Sequence, residues 1–471
     1  MGALGLCLVL LTAAADSSEG LGAPPPPAST TAVAQEQFTF DLGAKLESML
    51  GTQLVGSFTQ NTVTTNFVLE PGVFFQQRSR TGQLTISYVP WFLYTPSDSD
   101  QALVFHRILV ESQQQLSRTS GVSLVARLWV GDQTFSPVVN LGVGPNGGGG
   151  QAPPTTTIIP VVPSLASLRL LDTSVRVGFY LLTSVQLRLD FDAGFVWSEG
   201  LGATAQQVLP LQRGPFVDML ATLKLGPHDT LVTSLRSGLL VYGPVYRPGG
   251  VNNENGSTVL LPHYNTGLEI LGNEVNVKWQ HAINSTLSTD LGAGMGVVYQ
   301  SQSYDIPTLV DQDLLWLHRS PVPATVGFYP LFGASIRDNV PIVDQTLLFT
   351  GTVAVIPIIN QFSGTVVERV DTSASAIWGL GTNWLLTASV GGAGSVNPRE
   401  IDGRAELRAV FQAGPHVVLA GGARLAYLNY AVPGAFNGTS WVLFFSVAGA
   451  TGKLGAAAGA STSQGDQGFL Q

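Results

Sequence analysis

The sequence predicts an all-β protein whose strands close into a transmembrane antiparallel up-and-down β-barrel. Three observations support this fold class: apolar and polar residues alternate along many segments, charged residues make up only 11% of the chain, and it contains 54 Gly and 28 Pro. Helices tolerate Gly and Pro poorly, so an all-α fold is disfavoured. Soluble domains carry about 25% charged residues, so much of this surface is expected to face something other than water.

The N-terminal segment predicts export from the cytoplasm. Leu4 to Ala15 reads LGLCLVLLTAAA, an apolar run of signal-peptide length that ends in an A-x-A cleavage pattern. Residues 1–15 are therefore interpreted as a signal peptide, and residues 16–35 as a proline-rich periplasmic leader. Cys7 is the single cysteine and lies in the removed segment, so the mature chain is expected to lack disulfides and thiol chemistry.

A membrane-spanning helix is not predicted anywhere in the mature chain. Such a helix needs about 18 or more continuous apolar residues. The best candidate, Leu347 to Ile359, has 13 residues and contains Gly351 and Pro357. Because every backbone N–H and C=O in lipid needs a partner within the protein, a closed barrel is the remaining way to span a bilayer.

Alternation with a period of two is clearest between Val185 and Trp197. Apolar side chains occupy every odd position there, whereas the even positions include Arg188, Asp190 and Asp192. Successive side chains of a strand point to opposite faces, so one face is predicted to contact lipid and the other water. A soluble β-sandwich alternates in the same way and stays an alternative, but predicted strands of about 10 to 15 residues fit tilted bilayer crossings better.

The turn signals divide the chain into about 18 strands, with 16 as the alternative count. The predicted strands cover residues 37–48, 63–77, 83–95, 102–116, 121–133, 168–182, 185–198, 215–225, 229–243, 264–281, 286–300, 324–337, 344–356, 364–379, 383–396, 402–413, 417–430 and 439–451. In the first of them, Ala44 to Leu50 fits a short helix equally well. An even count with both termini on the periplasmic side is the rule for bacterial single-chain barrels. The barrel is assigned to residues 36–452 and a flexible tail to 453–471.

The predicted connections alternate between short and long, as periplasmic turns and extracellular loops do in such barrels. Short turns cover residues 78–82, 117–121, 183–184, 226–229, 283–285, 381–383 and 414–416, and long connections cover 134–167, 200–214, 244–262 and 301–323. Residues 134–167 are the candidate for an inward-folding gate, although their many Gly and Pro residues favour mobility.

Aromatic residues near strand ends are interpreted as girdles at the two edges of the apolar band. They are Trp91, Phe92, Tyr94, Trp129, Phe179, Tyr180, Trp197, Tyr242, Tyr299, Trp378, Trp384, Tyr430 and Trp441. A soluble barrel would also place many of them there.

This layout resembles bacterial outer-membrane β-barrel proteins over about residues 36 to 452. It is closest to porin-like barrels associated with exopolysaccharide secretion, with a generic likeness in Leu84 to Thr95, His106 and Leu116 to Thr119. The resemblance implies contact with outer-membrane lipid, a periplasmic polysaccharide-export partner and a hydrophilic polymer as passenger. One departure is that about twenty residues follow the last strand, whereas the class usually ends on a strand with a C-terminal aromatic residue.

The sequence contains no recognisable constellation for catalysis, metal binding or cofactor binding. The six His are scattered without metal-ligand spacing, no G-x-S-x-G element is present, and the glycine clusters lack a phosphate-loop context. Net charge −9 without a basic block disfavours nucleic acid as a partner. No catalytic, metal or cofactor residue is therefore assigned, and the chain is expected not to be an enzyme.

The polar faces of the strands predict a pore lining of mixed charge. It consists of Arg127, Arg188, Asp190, Asp192, Glu274, Lys278, Asp290, Arg404, Glu406, Arg408 and Arg424. Mixed charge predicts weak ion selectivity and suits a neutral or variably charged hydrophilic passenger. Each of these residues equally fits an ion pair that only supports the wall.

These sequence patterns favour three functions, in order of preference. The first is an outer-membrane conduit that exports an exopolysaccharide with a periplasmic partner. The second is a general diffusion porin for small solutes, which needs no partner. The third is a secreted soluble β-sandwich or adhesin.

Overall fold

Most of the mature chain is described by the computed structural model. It describes residues 37–51, 63–94, 96, 102–133, 135–139, 156–160, 168–201, 211–252, 258–310, 314–342, 345–359, 366–380, 383–395, 400–414, 416–430 and 438–451. The predicted signal peptide, leader and C-terminal tail lie outside these residues. Within the described residues, no helix is long and apolar enough to cross a bilayer.

The described residues form β-strands connected by turns. The strands of the first half are β1 (Gln37–Gly51), β2 (Thr64–Arg78), β3 (Gly82–Tyr88), β4 (Trp91–Tyr94), β5 (Ala102–Gln115), β6 (Ser120–Gln133), β7 (Phe135–Val139), β8 (Thr156–Pro160), β9 (Leu168–Leu182), β10 (Leu187–Gly200) and β11 (Gln212–Lys224). Those of the second half are β12 (Asp229–Asn252), β13 (Thr258–Ala282), β14 (Leu287–Val310), β15 (Leu314–Ile342), β16 (Gln345–Ile359), β17 (Val366–Leu380), β18 (Trp384–Ser395), β19 (Glu400–Gly414), β20 (Val417–Tyr430) and β21 (Gly438–Ala450).

The strands form a closed antiparallel barrel in chain order. Residues 43–51 of β1 pair with residues 442–450 of β21, which closes the sheet. β3 and β4 lie in line between β2 and β5 and are separated by Val89 and Pro90, because proline lacks the N–H that a ladder position donates. Counted as one interrupted strand, they give the described wall 18 strands, as predicted. β7 and β8 form a separate hairpin inside the segment proposed as a gate.

Short turns and both ends of the barrel chain lie at one rim. Residues 79–81, 116–119, 183–186, 225–228 and 283–286 connect successive strands there. Thr451 N donates to Leu42 O over 2.8 Å and holds the end of β21 beside the start of β1. The strand prediction for the first segment is confirmed, and the helical alternative for Ala44 to Leu50 is wrong.

The long connections predicted at residues 244–262 and 301–323 are wrong over most of their length. β12, β13, β14 and β15 continue through them as strands of 24, 25, 24 and 29 residues, about twice what a bilayer crossing needs. The β12–β13 ladder shifts register at Tyr242/Val245 and at Arg247/Gly249, where Pro244 and Pro248 lie. Bulges accommodate these prolines, and the Pro and Gly content therefore does not indicate a loop here.

The two faces of the wall differ sharply in chemistry. On β1, Leu42 and Leu46 point outward and are 48% and 53% exposed, whereas Lys45 and Glu47 point inward and are 4% and 3% exposed. The same alternation continues around the barrel, and most outward positions of the strands carry apolar side chains. Burying each large apolar side chain in lipid contributes roughly 1.5–3 kcal/mol.

The apolar outer band has the height of a bilayer core. On β13 the outward side chains run from charged Glu269 through Val275 to Trp279. Ten residues at about 3.4 Å each, tilted by about 40°, rise about 25 Å. At the short-turn rim, Trp279 Nε1 donates to Asp229 Oδ1 over 2.9 Å, and Trp378 Nε1 donates to Gln345 Oε1 over 3.1 Å. Such amphipathic indoles mark the edge of the band.

Candidate functional site: the inner wall of the barrel

The residues predicted to line a pore share one face of the wall. Each lies at an inward register position, opposite the exposed apolar side chains, and is buried or half-buried. They are Arg127 on β6, Arg188, Asp190 and Asp192 on β10, Glu274 and Lys278 on β13, Asp290 on β14, Arg404, Glu406 and Arg408 on β19, and Arg424 on β20. Their role as a lining for a passenger stays a prediction.

From β6 to β14, inward charges pair with one another, mostly across neighbouring strands. Lys278 Nζ lies 3.0 Å from Asp290 Oδ2, and Arg188 contacts Asp190 on its own strand at 2.7 Å. Several partners on this face were not predicted from the sequence. They are Asp172, which faces Arg127 at 3.5 Å, Arg176, which pairs with Asp192, and Arg236, whose Nε lies 3.1 Å from Asp218 Oδ1.

A second network crosses the seam where the first and last strands meet. Glu70 on β2 accepts from Arg107 over 2.5 Å and from Lys45 over 3.5 Å. Lys45 also contacts Glu47 at 2.8 Å on the same strand. Arg424 on β20 lies 3.9 Å from Glu47 and 3.1 Å from Glu406. Charges from both ends of the chain therefore meet at the seam, a contact that local sequence pattern does not signal.

The seam charges are removed from water. The side chains of Lys45 and Glu47 are each 4% exposed, and that of Glu70 is 2% exposed. A buried charge is tolerated when it is paired and hydrogen-bonded, and removing one partner of a buried pair typically costs about 3–5 kcal/mol. The network therefore ties the closure of the barrel to a set of specific side chains.

We call the inner faces of β1, β2, β5, β6, β9 to β14 and β19 to β21 the charged arc. The inner faces of β15 to β18 form a different surface, the small-residue wall. Its inward positions on β16 to β18 carry mainly Gly, Ala, Ser and Thr, and those on β15 also include Tyr329, Leu331 and Arg337. Arg369 Nε lies 2.7 Å from Asp371 Oδ1. Hydroxyl groups pair across β16 and β17, Thr350 with Ser375 at 2.5 Å and Thr352 with Ser373 at 2.6 Å.

Among the girdle candidates whose side chains the structure describes, three lie inside the barrel instead. The guanidinium of Arg127 stacks over Trp129 at 4.3 Å and that of Arg188 over Tyr180 at 4.9 Å, and Trp91 packs against an inner cluster of apolar side chains. The girdle assignment used only distance from a strand end, whereas the parity of the position decides which face a side chain takes.

A metal-binding cluster is not found on the described part of the chain. No group of three or more His, Cys, Asp or Glu side chains converges there in a way that could hold a metal ion. The printed contacts of the described inner wall are ion pairs, hydroxyl pairs and cation–π stacks.

The closed barrel and its apolar outer band determine where the protein resides. A closed antiparallel barrel with an apolar exterior about 25 Å tall, bordered by aromatic residues, is the architecture of proteins of the bacterial outer membrane. The chain is an outer-membrane β-barrel protein.

No family model matches the sequence, and no curated protein matches it. Among solved structures, the chain is similar to the open form of the ferric-catecholate import receptor Fiu of E. coli K12, with TM-score 0.45 and 9% identity over 86% of this chain and 81% of the receptor. It is also similar to the ferric citrate transporter FecA, with TM-score 0.46 and 11% identity over 86% of this chain and 61% of FecA. A third similar structure is OccAB3 of Acinetobacter baumannii, with TM-score 0.38 and 9% identity over 88% of this chain and 98% of OccAB3.

Proposed function

We propose that the barrel is a pore for a hydrophilic passenger and, in its most specific form, a conduit that exports an exopolysaccharide. The supporting observation is that inward charges of both signs lie next to each other and pair. A passenger would therefore meet a polar wall without a strong field of one sign, and such a wall suits a neutral or variably charged polymer. A periplasmic polysaccharide-export protein is proposed as the partner, because a passive conduit does not itself supply the energy that moves the polymer.

The small-residue wall supports the same passenger. Hydroxyl groups both donate and accept hydrogen bonds, and they match the hydroxyl groups of a saccharide without holding it by charge. A hydroxyl-rich polymer could therefore slide along this wall by exchanging weak contacts.

Two measurements test the proposal. Purified protein in planar lipid bilayers should conduct ions. The absence of any conductance would contradict the proposal that the barrel is a pore. Deletion of the gene should abolish surface polysaccharide and leave uptake of small solutes unchanged. Loss of small-solute uptake with normal surface polysaccharide would instead identify a general diffusion porin.

A further inference from the structure

The outer face of the barrel carries a hydrogen-bonded polar pair inside its apolar band. Ser237 on β12 and Asn273 on β13 are cross-strand partners, and Ser237 Oγ donates to Asn273 Oδ1 over 2.8 Å. Alternate positions of a strand share a face. Leu271 and Val275, on either side of Asn273 along β13, point outward and are 38% and 49% exposed, so Asn273 points outward too. We call Ser237 and Asn273 the outer polar pair.

The outer polar pair lies deep within the apolar band. Along β13, Asn273 is six residues from Trp279 at the short-turn edge and four residues from Glu269 at the other edge. On a strand tilted by about 40°, these separations correspond to rises of about 15 Å and about 10 Å. Water and lipid headgroups lie beyond both edges, and the hydrocarbon between them offers the amide no hydrogen bond.

The amide of Asn273 keeps hydrogen-bonding capacity that the barrel does not use. An amide has two N–H donors and an oxygen with two acceptor sites. The bond from Ser237 occupies one acceptor site, and the described residues supply no partner for the N–H groups. The exposed Thr372 on β17 differs, because its hydroxyl donates to Gly392 O over 3.2 Å. An unpaired amide in hydrocarbon is unfavourable, so a polar partner at this depth would stabilise it.

We propose that a second copy of this chain docks at the outer polar pair, with the two Asn273 side chains facing each other across a two-fold axis. Asn273 Nδ2 would donate to Oδ1 of the partner's Asn273, and symmetry would form the reverse bond. A second copy fits because it carries the same amide at the same depth, and an amide is complementary to itself. The exposed side chains of Leu235, Leu271 and Val275 would pack around this contact, as apolar and polar groups combine in membrane interfaces.

The oligomeric state of the purified barrel in detergent tests this proposal. Sedimentation equilibrium should give twice the mass of one chain. Asn273→Leu removes both amide bonds across the axis and should weaken dimerisation at least about tenfold. Asn273→Gln keeps an amide at this position and should stay dimeric. Thr372→Val removes a polar group from the outer face of β17 and should leave the dimer unchanged.

Three results would overturn the proposal. They are a wild-type protein with the mass of one chain at every concentration, an Asn273→Leu variant that dimerises like the wild type, and an equal loss of dimer in Thr372→Val. Heat-modifiable migration on SDS gels shows that each variant is folded. Because each copy encloses its own lumen, conductance tests the pore separately from the dimer.

Discussion

The charged arc and the small-residue wall have the same backbone pairing but differ in what their side chains contribute. In the arc, oppositely charged groups such as Lys278 and Asp290 contact each other across strands at 3.0 Å. In the wall, neutral hydroxyl groups such as those of Thr350 and Ser375 face each other at 2.5 Å. The barrel ladder alone therefore does not require charge inside. The arc includes the seam between β21 and β1, where closure depends on chain ends that no turn connects.

The largest effect is expected from a seam charge. Glu70→Ala leaves Lys45 and Arg107 without the carboxylate that they share, so the free energy of unfolding should fall by about 3–5 kcal/mol. Urea unfolding in lipid vesicles, followed by tryptophan fluorescence, measures it. Glu368→Ala, at an exposed position on β17, serves as the control and should change stability by less than about 0.5 kcal/mol. If both variants lower the free energy of unfolding equally, the buried charges of the seam do not contribute specially to the stability of the barrel.

A charge on the outer face tests whether both regions share a lipid-facing exterior. Val275 points outward midway along the apolar band and is 49% exposed. Val275→Arg should cost about 2–4 kcal/mol, the range for Arg near the middle of a bilayer. The same unfolding assay measures it, with Val275→Ala as the reference for loss of the side chain alone. If Val275→Arg unfolds like Val275→Ala, water rather than lipid surrounds this face.

A smaller effect is expected in the small-residue wall. Thr350→Val keeps the shape of the side chain but removes its hydroxyl contact with Ser375, which should cost about 1 kcal/mol. The double variant with Ser375→Ala should cost little more, because the contact is already lost. A loss as large as that of Glu70→Ala would mean that the two regions do not differ in how they stabilise the barrel.

The smallest effect should be on ion selectivity. Arg404→Glu combined with Arg408→Glu makes the charged arc more negative, so the reversal potential across a salt gradient should shift toward cation preference. Thr352→Val in the small-residue wall changes no charge and should leave the reversal potential unchanged. A double charge reversal without any shift would show that these arginines do not border the conducting path.

Alternation in the sequence predicted the fold because lipid and the interior impose opposite chemistry on adjacent residues of each strand. By parity alone it placed Arg188, Asp190 and the other candidate residues on the inner face, and their role as a pore lining stays a prediction. It missed Lys45 and Glu47, since the first strand also fitted a helix. Nor could it pair Arg424 with Glu47, because that contact exists only once the barrel closes. The loop predicted around Pro244 and Pro248 is wrong, because the accommodation of these prolines in bulges depends on register.

The most direct test of the closed transmembrane barrel is cell fractionation combined with SDS gel migration before and after heating. A sealed barrel resists unfolding in cold SDS, since its ladder has no free edge from which to open. We predict recovery in the outer-membrane fraction and a clear change in migration on heating. Recovery in the soluble fraction with the same migration at both temperatures would contradict the closed barrel. The residues of the inner wall would then not border a pore.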